Sequence, residues 1–362
     1  MDSIPEEQPD FEVTVSRHFP TWLAEQQISL AFAIPPAKLF FVGLYPDGSL
    51  SIYERTFNKT MGLARVGTDT IYVGTRYQIW KLESPLPPGQ RVEESYDRLY
   101  IPRKVYRIGN VNVHDVAVDG AGRVLFVNTR FGCVCAASDQ YSFVPVWKPP
   151  FLAEITQPDH CHLNGLAIRD GKPAYVTSVS TTDTIDGWRD HRRAGGVVVD
   201  MASNEIVATG LSMPHSPRLY RDELWVTNSG TGQLGKIDLA RGQMEPVAFA
   251  PGFLRGLDFY GDYAIVGSSK PRHGDMYSGL GLDDELSKRN SKPHLGLFII
   301  NLRTGAISDW LFVEGPAREL FDVVVLPGVR QPMALGLITD EIKSSLWFDA
   351  EAYARQEQGE HA

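Results

Sequence analysis

The sequence predicts an all-β protein folded as a β-propeller, and three observations carry that prediction. A short pattern recurs, in which an apolar strand, a turn rich in Asp and Gly, and a second apolar strand follow one another. It runs from Met61 to Thr75, from His114 to Thr129, from Cys161 to Thr177, from Ser216 to Asn228, from Arg255 to Gly267 and from Phe321 to Leu337. The copies lie roughly 40–65 residues apart, a period that signals a repeat array. Most copies are followed by two more strand-like runs, so the unit is a four-stranded antiparallel sheet, the blade of a propeller.

Taken in order, residues 1–10 read as a disordered, acidic leader, and Phe11–Val15 alternates as a strand does. Pro20–Gln27 reads as a short helix, with Thr21 available as a cap before a run of helix formers. Strands follow at Ser29–Ile34, Leu39–Leu44 and Ser49–Glu54, the last two joined by Pro46-Asp47-Gly48, a strong hairpin signal. From Met61 the units become full. Their outer strands are expected at Gln78–Leu82 and Leu99–Ile108, then at Cys133–Ala137 and Ser142–Trp147. The later pairs are Gly196–Asp200 with Glu205–Thr209, Leu234–Asp238 with Met244–Phe249, and Gly296–Leu302 with Ala306–Val313. Two insertions interrupt the pattern, Ser180–Arg193 and Ser268–Pro293, and neither carries an obvious regular element. Long loops of this kind often cover a site, and Trp188 and Tyr277 are the residues suited to do so.

Five units are complete. The N-terminal unit, Ser29 to Phe57, has three strands and the C-terminal unit, Glu319 to Leu337, has two. A ring leaves no free edge, so the C-terminal strands are expected to pair with an N-terminal one such as Phe11–Val15. Counting each partial unit as a blade gives seven, with six as the alternative. The domain reading is one propeller over residues 11–340, followed by a charged, helical tail over 341–362.

Composition narrows the functional classes. The 362 residues carry a net charge of −9, with 43% hydrophobic and 22% charged residues. No basic run exceeds His191-Arg192-Arg193, which argues against a nucleic-acid partner. No apolar run reaches the 18 or so residues of a membrane helix, and no signal peptide is visible, so the expectation is a cytoplasmic protein without a membrane partner. Cys133, Cys135 and Cys161 match no disulfide framework and read as core thiols in a reducing compartment. The oligomeric state is left open.

Chemistry is expected where the first strand of each unit begins. Alignment on the Gly-Leu-Ala pattern puts Met61, His114, Asn164, Ser216, Arg255 and Phe321 in one column, with His162, His215 and Glu319 beside it. Three of nine histidines thus fall at near-equivalent points of consecutive units. Imidazoles are the commonest ligands for zinc, iron and copper, and three of them leave an open position for chemistry. His114, His162 and His215 are therefore the candidate metal ligands, for a divalent zinc, iron or copper ion. Glu319 and Asp115 are the candidate catalytic carboxylates. Arg218, Arg255, Asn164, Lys270 and Arg272 are the candidate substrate-binding groups, suited to an anion. In Asp159-His160-Cys161-His162 the two histidines would share a face only in an extended segment. Gly-x-Ser-x-Gly, Walker, dinucleotide-binding and His-Glu-x-x-His motifs are absent.

Several stretches, among them Arg76-Tyr-Gln-Ile-Trp80, Cys161-His-Leu-Asn-Gly165, Gly187-Trp-Arg-Asp-His-Arg-Arg193, Met213-Pro-His-Ser-Pro-Arg218 and Ser269-Lys-Pro-Arg272, resemble a bacterial conserved-hypothetical family of unknown function. That resemblance covers nearly the whole chain and implies no activity. A looser one links Asn164 in Asn-Gly-Leu-Ala to a metal-binding asparagine of gluconolactonase and regucalcin propellers. Their acidic ligands on other blades are replaced here by His114, Ser216 and Arg255. The expected function is a metal-dependent enzyme acting on a small-molecule or peptide substrate at the channel mouth, either hydrolytic or oxygen-activating. The alternative is a non-catalytic propeller that binds a peptide or partner protein there.

Overall fold

The computed structural model describes residues 11–35, 37–271, 278–336, 340–343, 346–348 and 353. Among them, six four-stranded antiparallel sheets form the blades of a propeller. The innermost strand of each blade touches that of the next, and the sixth returns to the first. Blade 1 comprises Leu63–Val66, Thr70–Gly74, Gln78–Glu83 and Arg98–Arg107, and blade 2 comprises Val113–Val118, Val124–Asn128, Cys133–Ala136 and Val144–Trp147. Blade 3 is built from Leu163–Arg169, Lys172–Ser178, Gly196–Asp200 and Ile206–Leu211, and blade 4 from Pro214–Tyr220, Glu223–Asn228, Gln233–Asp238 and Gln243–Phe249. Blade 5 contains Phe253–Tyr260, Tyr263–Ser269, Gly296–Asn301 and Ile307–Glu314.

Blade 6 corrects the count of seven. Its inner strand, Asp322–Pro327, comes from the C-terminal part of the chain, and its other three, Ile28–Ile34, Lys38–Leu44 and Leu50–Thr56, come from the N-terminal part. The two partial units are halves of one blade, because a three-strand unit without an inner strand is completed by a unit that brings one. The remaining terminal strands cover outer edges. Glu12–Val15 runs antiparallel to the last strand of blade 5, with Val13 opposite Val313. Pro332–Ala334 lies parallel to Arg98, Leu99 and Tyr100 on blade 1. Covering edges in this way removes templates for unwanted strand addition.

The expected helix forms at Phe19–Gln26, with Pro20 in its first turn, where a missing N–H costs nothing, and it stops at Gln27, which is left-handed at φ 54°. Phe19, Trp22 and Leu23 bury its inner face against blades 5 and 6. Most of the tail over 341–362 lies outside the described residues. No described helix is long and apolar enough to cross a membrane. The three cysteines are free and buried, and the Cys133 and Cys135 sulfurs lie 3.4 Å apart on one face of their strand.

Two alternating devices join the blades near the axis. Close glycine approaches join blades 1 to 2, 3 to 4 and 5 to 6: a Cβ on Gly62 would stand 2.9 Å from the Asp115 backbone, one on Gly165 2.2 Å from Pro217, and one on Gly256 2.7 Å from Asp322. Side-chain bonds join the other three interfaces. Leu166 N donates to Asp115 (3.0 Å), Gly256 N to Ser216 (2.9 Å) and Leu63 N to Asp322 (2.8 Å).

The insertions differ from expectation in one respect. The longer contains a helix, Gly281–Lys288, in addition to the 3-10 turn Gly187–His191 of the shorter. Leu282 and Leu286 lie one turn apart and pack with Leu280, Trp188, Met213, Phe253 and Val179. Tertiary burial of that short apolar stripe supports a helix too brief to be stable alone.

Candidate functional site

His114 and His215 occupy the second residue of the inner strands of blades 2 and 4, while His162 immediately precedes the inner strand of blade 3. In the ring, His215 rather than Ser216 is the equivalent of His114, because Ser216 and Asp115 make the same bond to the next blade. One level therefore holds Met61, His114, Asn164, His215, Arg255 and Phe321, one residue per blade. Two positions earlier come Lys59, Asn112, His162, Met213, Phe253 and Glu319. Of these, Lys59, Asn112, His162 and Met213 are left-handed, with φ of 57°, 56°, 57° and 49°. Four non-glycine residues in that region at successive blades mark stored backbone strain, which concentrates at functional sites.

His114 stands against both of the other imidazoles. The His114 ring centre lies 5.0 Å from that of His162 and 6.1 Å from that of His215. Phe321 is 5.7 Å from His114, across the ring on blade 6. The three histidines are only 8%, 4% and 3% exposed. Trp188 from the shorter insertion lies over His162 at 4.2 Å, and Phe253 lies against His215 at 5.6 Å.

Hydrogen bonding sets the tautomer of each ring. His114 Nδ1 faces the Asn112 carbonyl (3.1 Å) and the Thr129 hydroxyl (2.7 Å), which itself donates to the Leu163 carbonyl. His215 Nδ1 faces the Met213 carbonyl (2.9 Å) and the Ser229 hydroxyl (3.0 Å), which donates to the Leu254 carbonyl. His162 Nδ1 meets Asp159 at 2.5 Å. Each Nδ1 therefore carries the proton, and each Nε2 carries the lone pair. The Nε2 atoms of His162 and His215 are buried without a hydrogen-bond partner, as are Asn164 Nδ2 and Trp188 Nε1. Clustered orphan groups of this kind call for a ligand, ion or water.

Electrostatics keep His114 and His215 neutral. Burial pushes His114 well below the ordinary histidine range, with His162, Arg255 and His215 adding to the shift. Burial does the same to His215, reinforced by Arg255. The Arg255 guanidinium donates to Glu319 at 3.1 Å and lies 4.5 Å over the Phe321 ring. Among the described residues, no three His, Cys, Asp or Glu side chains stand in metal-holding geometry.

The other expected site residues are placed elsewhere or engaged otherwise. Arg218 and Asp115 form a bidentate pair (2.8 and 3.1 Å) further along the channel, with Asp322 at 3.6 Å from the same guanidinium. Burial opposes the Arg218 charge, but Asp115 and Asp322 more than offset it and hold its pKa above the usual range. Burial raises Asp322 to about 8 against the pull of Arg218. Arg218 also donates to the Leu257 and Leu166 carbonyls, which makes it a hub of blade packing. A cavity of about 300 Å³ beyond it is lined by Arg65, Asp258 and apolar side chains such as Leu63, Val116 and Leu219. Asn164 joins the histidine level and accepts from Thr177 at 2.7 Å. Lys270 pairs with Glu314 at the end of blade 5 (2.7 Å). Arg272 and Tyr277 lie outside the described residues. The segment before His162 is a turn, so His160 points instead to Asp183 at 3.0 Å.

Sequence reasoning assigned no role to Asp159, named only within the stretch 159–162, or to Thr129 and Ser229. A signal existed for the last two. Asn128-Thr129 and Asn228-Ser229 each follow a second strand, each precede a glycine at 132 or 232, and each stand 14 or 15 residues after a histidine.

Residues 17–335 match the family described as "Domain of unknown function (DUF4915)". The chain belongs to this family. No curated protein matches the DUF4915 chain. Solved structures resemble it in fold. A chain of the nidogen/laminin complex matches with a TM-score of 0.52 and 12% identity, over 83% of this chain and 99% of that one. A protein of unknown function from Bacteroides caccae gives 0.48 and 8%, over 84% and 99%. Virginiamycin B lyase from Staphylococcus aureus gives 0.38 and 11%, over 72% and 96%. At such identities the first likeness concerns the fold alone, and the other two carry no functional weight.

Proposed function

We propose that this DUF4915 protein is a metal-dependent enzyme that acts on a small anionic substrate at the histidine mouth of the channel. The observation that carries the reading is the set of three imidazoles, each with Nδ1 fixed by a protein acceptor and Nε2 left bearing a lone pair. Fixing the far nitrogen orients a histidine for metal, which is the usual supporting arrangement around a metal ligand. A tetrahedral ion with bonds of about 2.0–2.1 Å would set ring centres roughly 5 Å apart, and the two separations from His114 are 5.0 Å to His162 and 6.1 Å to His215. A divalent ion, whether zinc, iron or copper, would supply an activated water or a site for oxygen. Around it, Arg255 would hold the substrate anion and Glu319 would carry the proton. Asp115 is less suited to that task, since both its oxygens are taken by Arg218.

The competing reading, a non-catalytic propeller that binds a peptide across the mouth, draws on the geometry of the described residues, among which no three His, Cys, Asp or Glu side chains are arranged to hold a metal. Elemental analysis of untagged protein distinguishes the two. Stoichiometric metal that is lost in His162→Ala and His215→Ala is the expected result. Ser229→Ala, which only unpins a ring, should weaken metal affinity about 10–100-fold in chelator competition. Protein that stays metal-free after dialysis against zinc, ferrous iron and copper would remove the proposal.

A further inference from the structure

The blade 1 side of the mouth carries a group that none of the roles above uses. Lys59 stands at the blade 1 position equivalent to His162 on blade 3. Its backbone is left-handed at φ 57°, and its ammonium makes one long hydrogen bond, 3.4 Å to Asn112 Oδ1. The backbone carbonyl of the same Asn112 faces His114 Nδ1, so the lysine lies one residue away from the imidazole cluster. No carboxylate comes within ion-pair distance of Lys59 or Arg76 among the described residues. Burial, then Arg76 and Arg255, push the Lys59 pKa below the ordinary lysine range, and Glu319 opposes them. Two unpaired cations at one rim are unexpected in a chain of net charge −9.

We infer that Lys59 and Arg76 form the anchor for an oxyanion, a carboxylate or a phosphate, on the substrate whose reacting end faces the histidines. This rests on the mouth being the substrate site, as proposed above, but not on a metal. The chemistry follows from the groups present. A partly buried ammonium without a counterion gains most from an anion that replaces lost hydration. Arg76, exposed at the rim, would add attraction at longer range.

Equilibrium binding of inorganic phosphate and of malonate to full-length, chelator-treated protein tests this, with glycerol as the neutral control. Titration calorimetry should detect one of the anions and not glycerol, and the anion that binds tells phosphate from carboxylate. Lys59→Met should weaken binding at least about tenfold, and Lys59→Arg should retain it within a few-fold. Lys104→Met, an exposed change on the outer strand of blade 1, should have no effect. Absence of binding by both anions, or equal affinity in Lys59→Met, overturns the inference. Binding that depends on Lys59 in a protein shown to take up no metal would sustain it while the metal reading fails.

Discussion

His114 and His215 illustrate what a single residue contributes here. Each is a base held neutral by burial and by nearby positive charge, so its folded pKa lies below the value of about 6.5 found in an unfolded chain. Below that pH the unfolded chain binds the extra proton and the folded one resists it. The stability these residues contribute is therefore present above pH 6.5 and is lost as pH falls. The loss is up to about 1.4 kcal/mol per pH unit for each histidine until its folded pKa is passed. Urea unfolding of metal-free protein should show a steeper drop between pH 6.5 and 5.5 in the wild type than in His215→Gln. Identical slopes would show that His215 is not held neutral. The same fixed tautomers make Thr129, Ser229 and Asp159 positioning residues, since each holds the orientation of a ring through its Nδ1.

At the scale of elements, the inner strands work as a ring because alternate interfaces use different chemistry. At three of them a glycine lets two backbones approach, and at the other three an Asp or Ser side chain accepts the next blade's N–H. Gly256 is the most demanding of the glycines, since its φ of 72° disfavours a side chain and an added Cβ would lie 2.7 Å from Asp322. Gly256→Ala should destabilise the protein by about 1–3 kcal/mol, visible as a lower denaturation midpoint. Gly48, also positive in φ but with open space around it, should tolerate alanine better, at a cost set by backbone strain alone. Equal effects at the two positions would argue that interface packing is not what Gly256 provides. The insertions act at this scale too. Their apolar residues meet over Met213 and Phe253, so Trp188 is buried against His162 rather than free to fold over a ligand.

For the whole molecule, closure is the decisive event. Blade 6 joins strands nearly 300 residues apart in the chain, and its inner strand also supplies the Asp322 bond that ties it to blade 1. Pairing of this range is formed late and is costly in chain entropy, so the ring depends on it as a unit. A chain ending at residue 320 lacks that strand and should lose cooperative unfolding and resistance to proteolysis. A truncated chain that still unfolds in one sharp transition would contradict the role assigned to blade 6.

The chain's own pattern determined the class of fold, most of the strands, the helix near Trp22 and the placing of His114, His162 and His215 at or beside the starts of inner strands. These follow from local alternation and a recurring turn, which act over a few residues and are visible in any stretch of the sequence. The number of blades was not settled in that way, because two incomplete units become one only when distant segments pair. Nor was the division of labour among the charged residues. Arg218 and Asp115 share a motif with the histidines, yet they neutralise each other inside the channel, while Lys59, in an unremarkable loop, is left with one long hydrogen bond to Asn112. Which charge meets its opposite depends on side chains from different blades arriving at one point, and only the closed ring brings them there.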